Sequence, residues 1–333
     1  MKLLPVSTES LEAAAGILRS GGLVAFPTET VYGLGADAFN PHALARIFEA
    51  KGRPRFDPLI IHISAIEDLE KTADLSLLSD EARKKLFLLA EKFWPGPLSI
   101  ILPKNERIPG IATAGLPTAA IRLPDHEAAR KLISLSGTAA AAPSANPFGG
   151  ISPTRAEHVR DGLGEKVDMI LDGGPARIGL ESTVLDITGG FLKILRPGGT
   201  PKEEIENLVG TVHSVDENEL CPSSPGQLKS HYAPKTPLSV FTREDISGKL
   251  YEEACAFIFF DGATRDEWLQ AHGSGSPVIK VLSETGQVLE ASSRLFEILH
   301  ELDSLGVSKI FAQLAPPKGL GQAINDRLTR ASS

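Results

Sequence analysis

Cysteine is nearly absent. The 333 residues contain two, Cys221 and Cys255, too few for a disulfide framework, which points to a reducing compartment. No C-x-x-C pair occurs and no histidine pair has metal-ligand spacing, so a protein-held zinc site is not expected. No apolar run approaches the ~20 residues that span a bilayer. The N-terminal MKLLPVSTESLEAAA lacks a long apolar stretch and is interrupted by Pro5, so no signal peptide, no membrane association and a cytoplasmic location are expected. The chain has no G-x-x-x-x-G-K-[ST] loop, no G-x-S-x-G elbow and no kinase signature. Aromatics make up only 6%, and the formal net charge is −8. That balance, with no basic stripe interleaved by aromatics, argues against stable nucleic-acid binding by the surface as a whole. A local basic pocket stays open.

What is present is an ordinary globular composition, 42% hydrophobic and 23% charged, long enough for two domains. Ser7 or Thr8 can cap a helix that Gly21-Gly22 stops. LVAFP then reads as a short buried strand ended by Pro27. Asn40-Pro41 opens a helix to about Ala50, and Ser79 opens another that stops before Pro95-Gly96. LIIHI, LSIIL, AAIRL, TAAAA, VDMILD, STVLDIT and FLKILR read as strands, several joined by connections too short for a helical crossover. A mixed α/β sheet is expected. Thr154 and Glu157 have capping-box spacing ahead of a short helix. From Thr211 to about Pro237 the chain is Pro- and Ser-rich without a period and reads as a linker. Beyond it, LSVF, ACAFIFF, PVIKVL and KIFAQLA alternate with helical stretches such as 284–304, the rhythm of a small Rossmann-like parallel-sheet domain. No G-x-G-x-x-G follows these strands, so no dinucleotide site is inferred there. The expected organisation is 1–210, a linker at 211–237 and 238–333.

Polar residues gather on short loops at strand ends, where α/β sites form. PTET follows LVAF, and KGRPR leads into LIIHI. Thr118 precedes Arg122 by four. Ser144, Asn146 and Ser152 follow the alanine strand, Ser182 opens a strand and Arg196 ends one. Lys51, Arg53, Arg55, Arg122 and Arg196 could converge on a polyanion, arginine as a planar fork and lysine as a point charge. Hydroxyls and glycine-rich turns would complete such a pocket. A triphosphate fits, with Mg²⁺ held mainly by the phosphates. Each residue taken singly also has a plain reading. KGRPR is then a solvated loop, His62 a half-buried strand histidine, Arg122 and Arg196 surface ion pairs, Trp94 a core anchor at a helix end, and both cysteines inert.

Taken in order, FPTETVYGLGADA, KGRPRFDPLIIHI, WPGPLSIIL, TAAIRLPDH, APSANPFGGISPT, ESTVLDIT and ILRPGG closely resemble the YrdC-like threonylcarbamoyl-AMP synthase family. SPGQLKSHYAPKTPL followed by a small α/β domain resembles its longer two-domain members. The resemblance covers essentially the whole chain and is least sharp beyond about residue 240. It implies a twisted mixed sheet bearing a basic cavity, a linker that helps close it, and a smaller Rossmann-like domain. It implies synthesis of threonylcarbamoyl-AMP and pyrophosphate from L-threonine, bicarbonate or CO2, and ATP with Mg²⁺. A downstream transferase complex would then use the product to modify adenosine 37 of tRNAs reading ANN codons.

Residue by residue, the resemblance places Thr30, His62, Arg122, Ala142 (through its backbone) and Ser182 at L-threonine. It places Arg53, Asp57, Thr118, Ser144, Ser152, Arg196 and Tyr232 at ATP, with Lys51 and Asn146 in the same pocket. Lys51, Arg53 and Arg122 carry the catalytic role, which is positioning and charge stabilisation more than covalent chemistry. Two rivals are a carbamoyl-adenylate-forming enzyme of another pathway, disfavoured by the missing cysteine series, and an RNA-binding, translation-associated module.

Overall fold

Local capping chemistry sets the helices that flank the first sheet. Ser7 accepts from Ser10 N at the start of helix Thr8–Arg19, Asn40 accepts from His42 N and Ala43 N ahead of Pro41–Lys51, and Ser79 accepts from Ala82 N ahead of Asp80–Phe93. Helix Pro41–Lys51 ends where Gly52 turns left-handed, at φ 64. The capping box expected at Thr154 does not form. Helix Ala156–Leu163 begins one residue later, with Arg155 at the cap position and no side-chain cap bond. Thr154 instead pairs through its N–H with His158 Nδ1 at 3.3 Å.

The computed structural model describes residues 1–214, 232–247, 254–273 and 277–333. Cys221, His231 and most of the expected linker lie outside the described residues. The chain forms two compact units, one of Met1–Phe148, Pro153–Arg177 and Glu181–Gln227, the other of Gly149–Ser152, Ile178–Leu180 and Leu228–Ser333. Among the described residues no helix is long and apolar enough to cross a membrane.

The first unit is built on one mixed sheet. Its strands are β1 (Lys2–Pro5), β2 (Val24–Phe26), β3 (Gly33–Asp37), β4 (Ile60–His62), β5 (Leu98–Pro103), β6 (Thr118–Arg122), β7 (Ala140–Ala141), β8 (Met169–Asp172), β9 (Thr183–Asp186), β10 (Leu192–Arg196) and β11 (Val212–Ser214), in the order β1-β8-β2-β3-β7-β4-β6-β5-β9-β10-β11. β4 runs parallel to β6 and antiparallel to β7, while β5 is antiparallel to β6 and parallel to β9. Side chains alternate between faces. Ile61, Ile63, Ile100, Leu102, Ile121, Ala141 and Leu185 enter the main core with Leu44, Ile47, Leu86 and Leu89 from the helices. The opposite face carries Ile60, Ala120, Ile101, Val184 and Leu195, a small separate apolar patch, and this is the face that bears the site. Trp94, at the end of its helix, is buried and donates Nε1–H to Leu98 O at 2.7 Å.

The second unit holds a four-stranded parallel sheet in the order β12-β15-β13-β14, with β12 at Leu238–Phe241, β13 at Ala256–Asp261, β14 at Val278–Ser283 and β15 at Ile310–Gln313. Phe241, Phe257, Phe259, Trp268 and Phe311 pack beside Cys255 in its core, so the scarce aromatics are concentrated here. At the C-terminal ends of β13 and β15, buried Gln313 accepts from Phe260 N at 2.8 Å and donates toward Thr264 Oγ1 at 3.4 Å.

Candidate active site

β6 organises the site. Thr118 and Arg122 are four residues apart on one strand and so share a face, about 13 Å apart at the usual strand rise. His62 is the register partner of Arg122 on β4, and Ala140 is its partner on β7. Ala142 follows on the same face, with its N–H donated to Ile60 O at 2.9 Å. Arg122, expected on a plain reading to be exposed, is 3% exposed. Its three nitrogens are directed separately: Nε donates to Gly96 O at 3.2 Å, Nη1 to Thr30 Oγ1 at 3.0 Å and Nη2 to Glu29 Oε1 at 2.6 Å. Thr28 Oγ1 pairs with Thr30 Oγ1 at 2.8 Å and donates to Val31 O, which fixes the PTET turn.

His62 is fully buried as well. Its Nδ1 lies 3.2 Å from Ile60 O, and the Phe26 ring meets it edge-on. Burial, and next the Arg122 charge, push its pKa down to about 3, so the imidazole is neutral.

On β10, Arg196 closes back on the start of β9. Its Nε and Nη2 donate to Ser182 O at 3.1 and 2.8 Å, and Nη2 reaches Ser182 Oγ at 3.1 Å. Ser182 Oγ pairs with Ser99 Oγ at 2.8 Å. The close approach needs Gly198, where a Cβ would lie 2.3 Å from Glu181 O and 2.5 Å from Thr183 N.

KGRPR folds as the end of a helix and a tight loop. Lys51 is buried and donates Nζ–H to Ser144 O at 2.5 Å and to Asn146 O, which ties the loop to the Ser-Ala-Asn turn. Burial, and next the Arg53 charge, hold Lys51 well below the usual ammonium range. Arg53 donates Nε–H to Asp57 O at 3.2 Å and Nη2–H to Pro58 O at 2.9 Å. Its Nη2 is also 2.8 Å from Asp57 Oδ2. That is an ion pair without a directed hydrogen bond, because both Asp57 carboxylate oxygens are buried without one. Burial raises the Asp57 pKa against the opposing pull of Arg53, Lys51 and Arg196. Thr118 lines a small pocket with Pro58, Leu59 and Ala120. Arg55, one of the five basic residues that could have converged on a polyanion, is instead exposed.

Lys51, Arg53, Asp57, Thr118, Ser144, Asn146, Arg196, Thr30, His62, Arg122, Ala142 and Ser182 all belong to the first unit. Ser152 and Tyr232 belong to the second. Ser152 is buried there, its carbonyl 3.2 Å from His300 Nε2. Tyr232 has a left-handed backbone, φ 64, and its buried ring stacks on Phe296 with Arg327 over it at 4.8 Å.

Comparison with known proteins decides the family. The profile described as telomere recombination, for Sua5, YciO and YrdC, matches residues 16–198, and the profile described as threonylcarbamoyl-AMP synthase, C-terminal domain, matches residues 200–333. The chain belongs to the Sua5 threonylcarbamoyl-AMP synthase family. The Pyrococcus abyssi threonylcarbamoyl-AMP synthase is 44% identical over 97% of this chain and 94% of its own length. The Bacillus subtilis threonylcarbamoyl-AMP synthase is 41% identical over 99% and 94%. The crystal structure of P. abyssi Sua5 complexed with L-threonine superposes with a TM-score of 0.88 at 40% identity, over all of this chain and 97% of that one. The Sua5 fold, a YrdC-like mixed sheet followed by a second α/β domain with a parallel sheet, is the fold found here.

Two buried residues of this Sua5 site escape the sequence reading. Ser99, inside LSIIL, is the partner of Ser182. Glu29, inside PTET, is the counter-charge of Arg122. Ser99 carried a signal, as the one polar residue of an apolar strand; Glu29, between Thr28 and Thr30, carried none.

Proposed function

We propose that this protein is a threonylcarbamoyl-AMP synthase that condenses L-threonine, bicarbonate or CO2, and ATP, releasing pyrophosphate, to supply the tRNA modification at adenosine 37. The observation that carries the reading is the single sheet face holding a neutral His62, the three-way bonded Arg122 and Ser182. The basic Lys51 and Arg53 loop is tied to the Ser144–Asn146 turn in the same unit.

In this reading Arg122 takes the threonine carboxylate. Thr30, His62 and Ser182 orient the amino acid, and Ala142 offers its carbonyl, since its N–H is already donated. Arg53 and Arg196 neutralise phosphates and the leaving pyrophosphate, and Lys51, whose charged form burial disfavours, is stabilised as an ammonium when the phosphates arrive. Thr118, Ser144 and Asn146 complete the ATP site within the first unit. The carbamate oxygen attacks the α-phosphorus, and the protein's work is to hold two anions close and to stabilise charge on phosphate.

Mg²⁺ enters with ATP. Asp57 supplies the one carboxylate of this basic cluster whose oxygens have no hydrogen bond, so it is the side chain that would meet the ion, the phosphates giving the other ligands. Bound there, the ion would offset charge on the phosphate oxygens. The downstream partner is a transferase that accepts a labile acyl-adenylate, and the location is cytoplasmic.

Mass spectrometry of the product made with ¹³C-bicarbonate tests this. Threonylcarbamoyl-AMP heavier by one mass unit is expected, and its absence with both substrates and ATP present refutes the reading.

A further inference from the structure

Glu29 is the carboxylate that the proposed chemistry leaves unused. It is 2% exposed. Its Oε1 accepts from Arg122 Nη2 at 2.6 Å, while Oε2 is buried with no hydrogen-bond partner. An unmet buried acceptor costs about 1–3 kcal/mol, more when charged, so the arrangement is completed only when a donor arrives.

The donor's chemistry follows from the charges. Arg122 and Glu29 together are neutral, and a lone carboxylate entering beside them would meet little net attraction. An amino acid zwitterion meets a complementary pair. Its carboxylate faces the guanidinium hydrogens that Gly96, Thr30 and Glu29 leave over, and its ammonium, one carbon away, faces Oε2. We infer that Glu29 is the α-amino receptor of the site and the base that activates that amine.

In the step this assigns, the ammonium N–H bond breaks and its proton passes to Oε2; the freed nitrogen pair forms the C–N bond to CO2 while a C=O pair moves onto oxygen, and the second N–H proton of that adduct leaves to water, giving the carbamate. Proton transfer of this kind contributes about 10²–10⁴-fold. Once Glu29 is neutral, Arg122 regains an uncompensated charge toward the substrate carboxylate. The charged or titratable groups around Glu29 are Arg122 on β6 and His126, whose ring is biased by the Glu29 charge and whose Nδ1 is buried without a partner. Arg122 stays protonated and cannot accept the proton, and burial disfavours the charged form of His126.

This rests on the threonine reading of the Arg122 pocket. The test is calorimetric titration of the full chain with L-threonine and with 3-hydroxybutyrate of matching stereochemistry, which keeps the carboxylate and hydroxyl but lacks the amine. Wild type should prefer threonine at least tenfold. Glu29→Gln should lose most of that ratio, and its pyrophosphate release at saturating threonine should fall about 10²-fold and climb with pH as free amine accumulates. A residue that only positions Arg122 would weaken both ligands equally, so an unchanged ratio in Glu29→Gln with an unchanged pH profile overturns the inference while leaving the threonine reading intact. Failure of threonine to bind wild type overturns both. If Glu29→Gln does not fold, equal wild-type affinity for the two ligands overturns the inference by itself, and a tenfold preference that shrinks in Glu29→Asp supports it.

Discussion

His62 and Arg122 are register partners on parallel neighbouring strands, both buried, so an imidazole is held beside a permanent cation. The pairing makes His62 a hydrogen-bonding group and keeps it uncharged, with its pKa lowered to about 3 by burial and the adjacent guanidinium.

Stability should follow that titration. Folded His62 stays neutral down to about pH 3, whereas the unfolded chain takes up a proton near 6.5. Between those values the unfolded state binds more protons, so this contribution is complete above pH 6.5 and is lost as pH falls toward 3. His62→Gln should remove it. In urea unfolding, wild type should lose about 2 kcal/mol more than the variant between pH 7 and pH 5. Equal losses would show that His62 is not buried as a neutral group.

Arg122→Lys keeps the charge but cannot serve Gly96 O, Thr30 Oγ1 and Glu29 Oε1 together. Threonine affinity should fall at least tenfold by calorimetry, with ATP retention unchanged. Arg122→Ala also strands the Glu29 carboxylate and should cost about 3–5 kcal/mol of stability. Near-normal threonine affinity in either variant would sink the carboxylate role.

Much of this site was legible as residue types and little of it as geometry. The alternation in AAIRL and LIIHI places Arg122 and His62 on strands, but the partners that hold Arg122 inside, Gly96, Glu29 and Thr30, lie 26, 93 and 92 positions from it. Arg196, expected in the site but read singly as a surface charge, is found buried and clasping Ser182 fourteen residues away. Thr154 had the right capping spacing, yet the helix starts one residue further on with no side-chain cap bond. TAAAA shrank to the two-residue β7, because only Ala140 and Ala141 pair with both β3 and β4. Glu29 was in plain view inside PTET, and what marks it out is only the orphaned oxygen that the folded chain reveals.

Asp57→Asn should separate stability from function. Burial raises the Asp57 pKa even with Arg53 2.8 Å away, so near neutral pH its charge costs the fold more than its neighbours return. Arg53 keeps its two carbonyl bonds in the variant. Unfolding free energy at pH 7 should therefore stay within about 1 kcal/mol of wild type or rise, while ATP affinity measured with Mg²⁺ falls. A loss of several kcal/mol would mean that the ion pair dominates.

The most direct measurement is the initial rate of pyrophosphate release from ATP by the full chain, with L-threonine and bicarbonate each omitted in turn. Release should need both, and should be at background when either is missing. Release with ATP alone, or with carbamoyl phosphate in place of threonine and bicarbonate, would contradict the assignment.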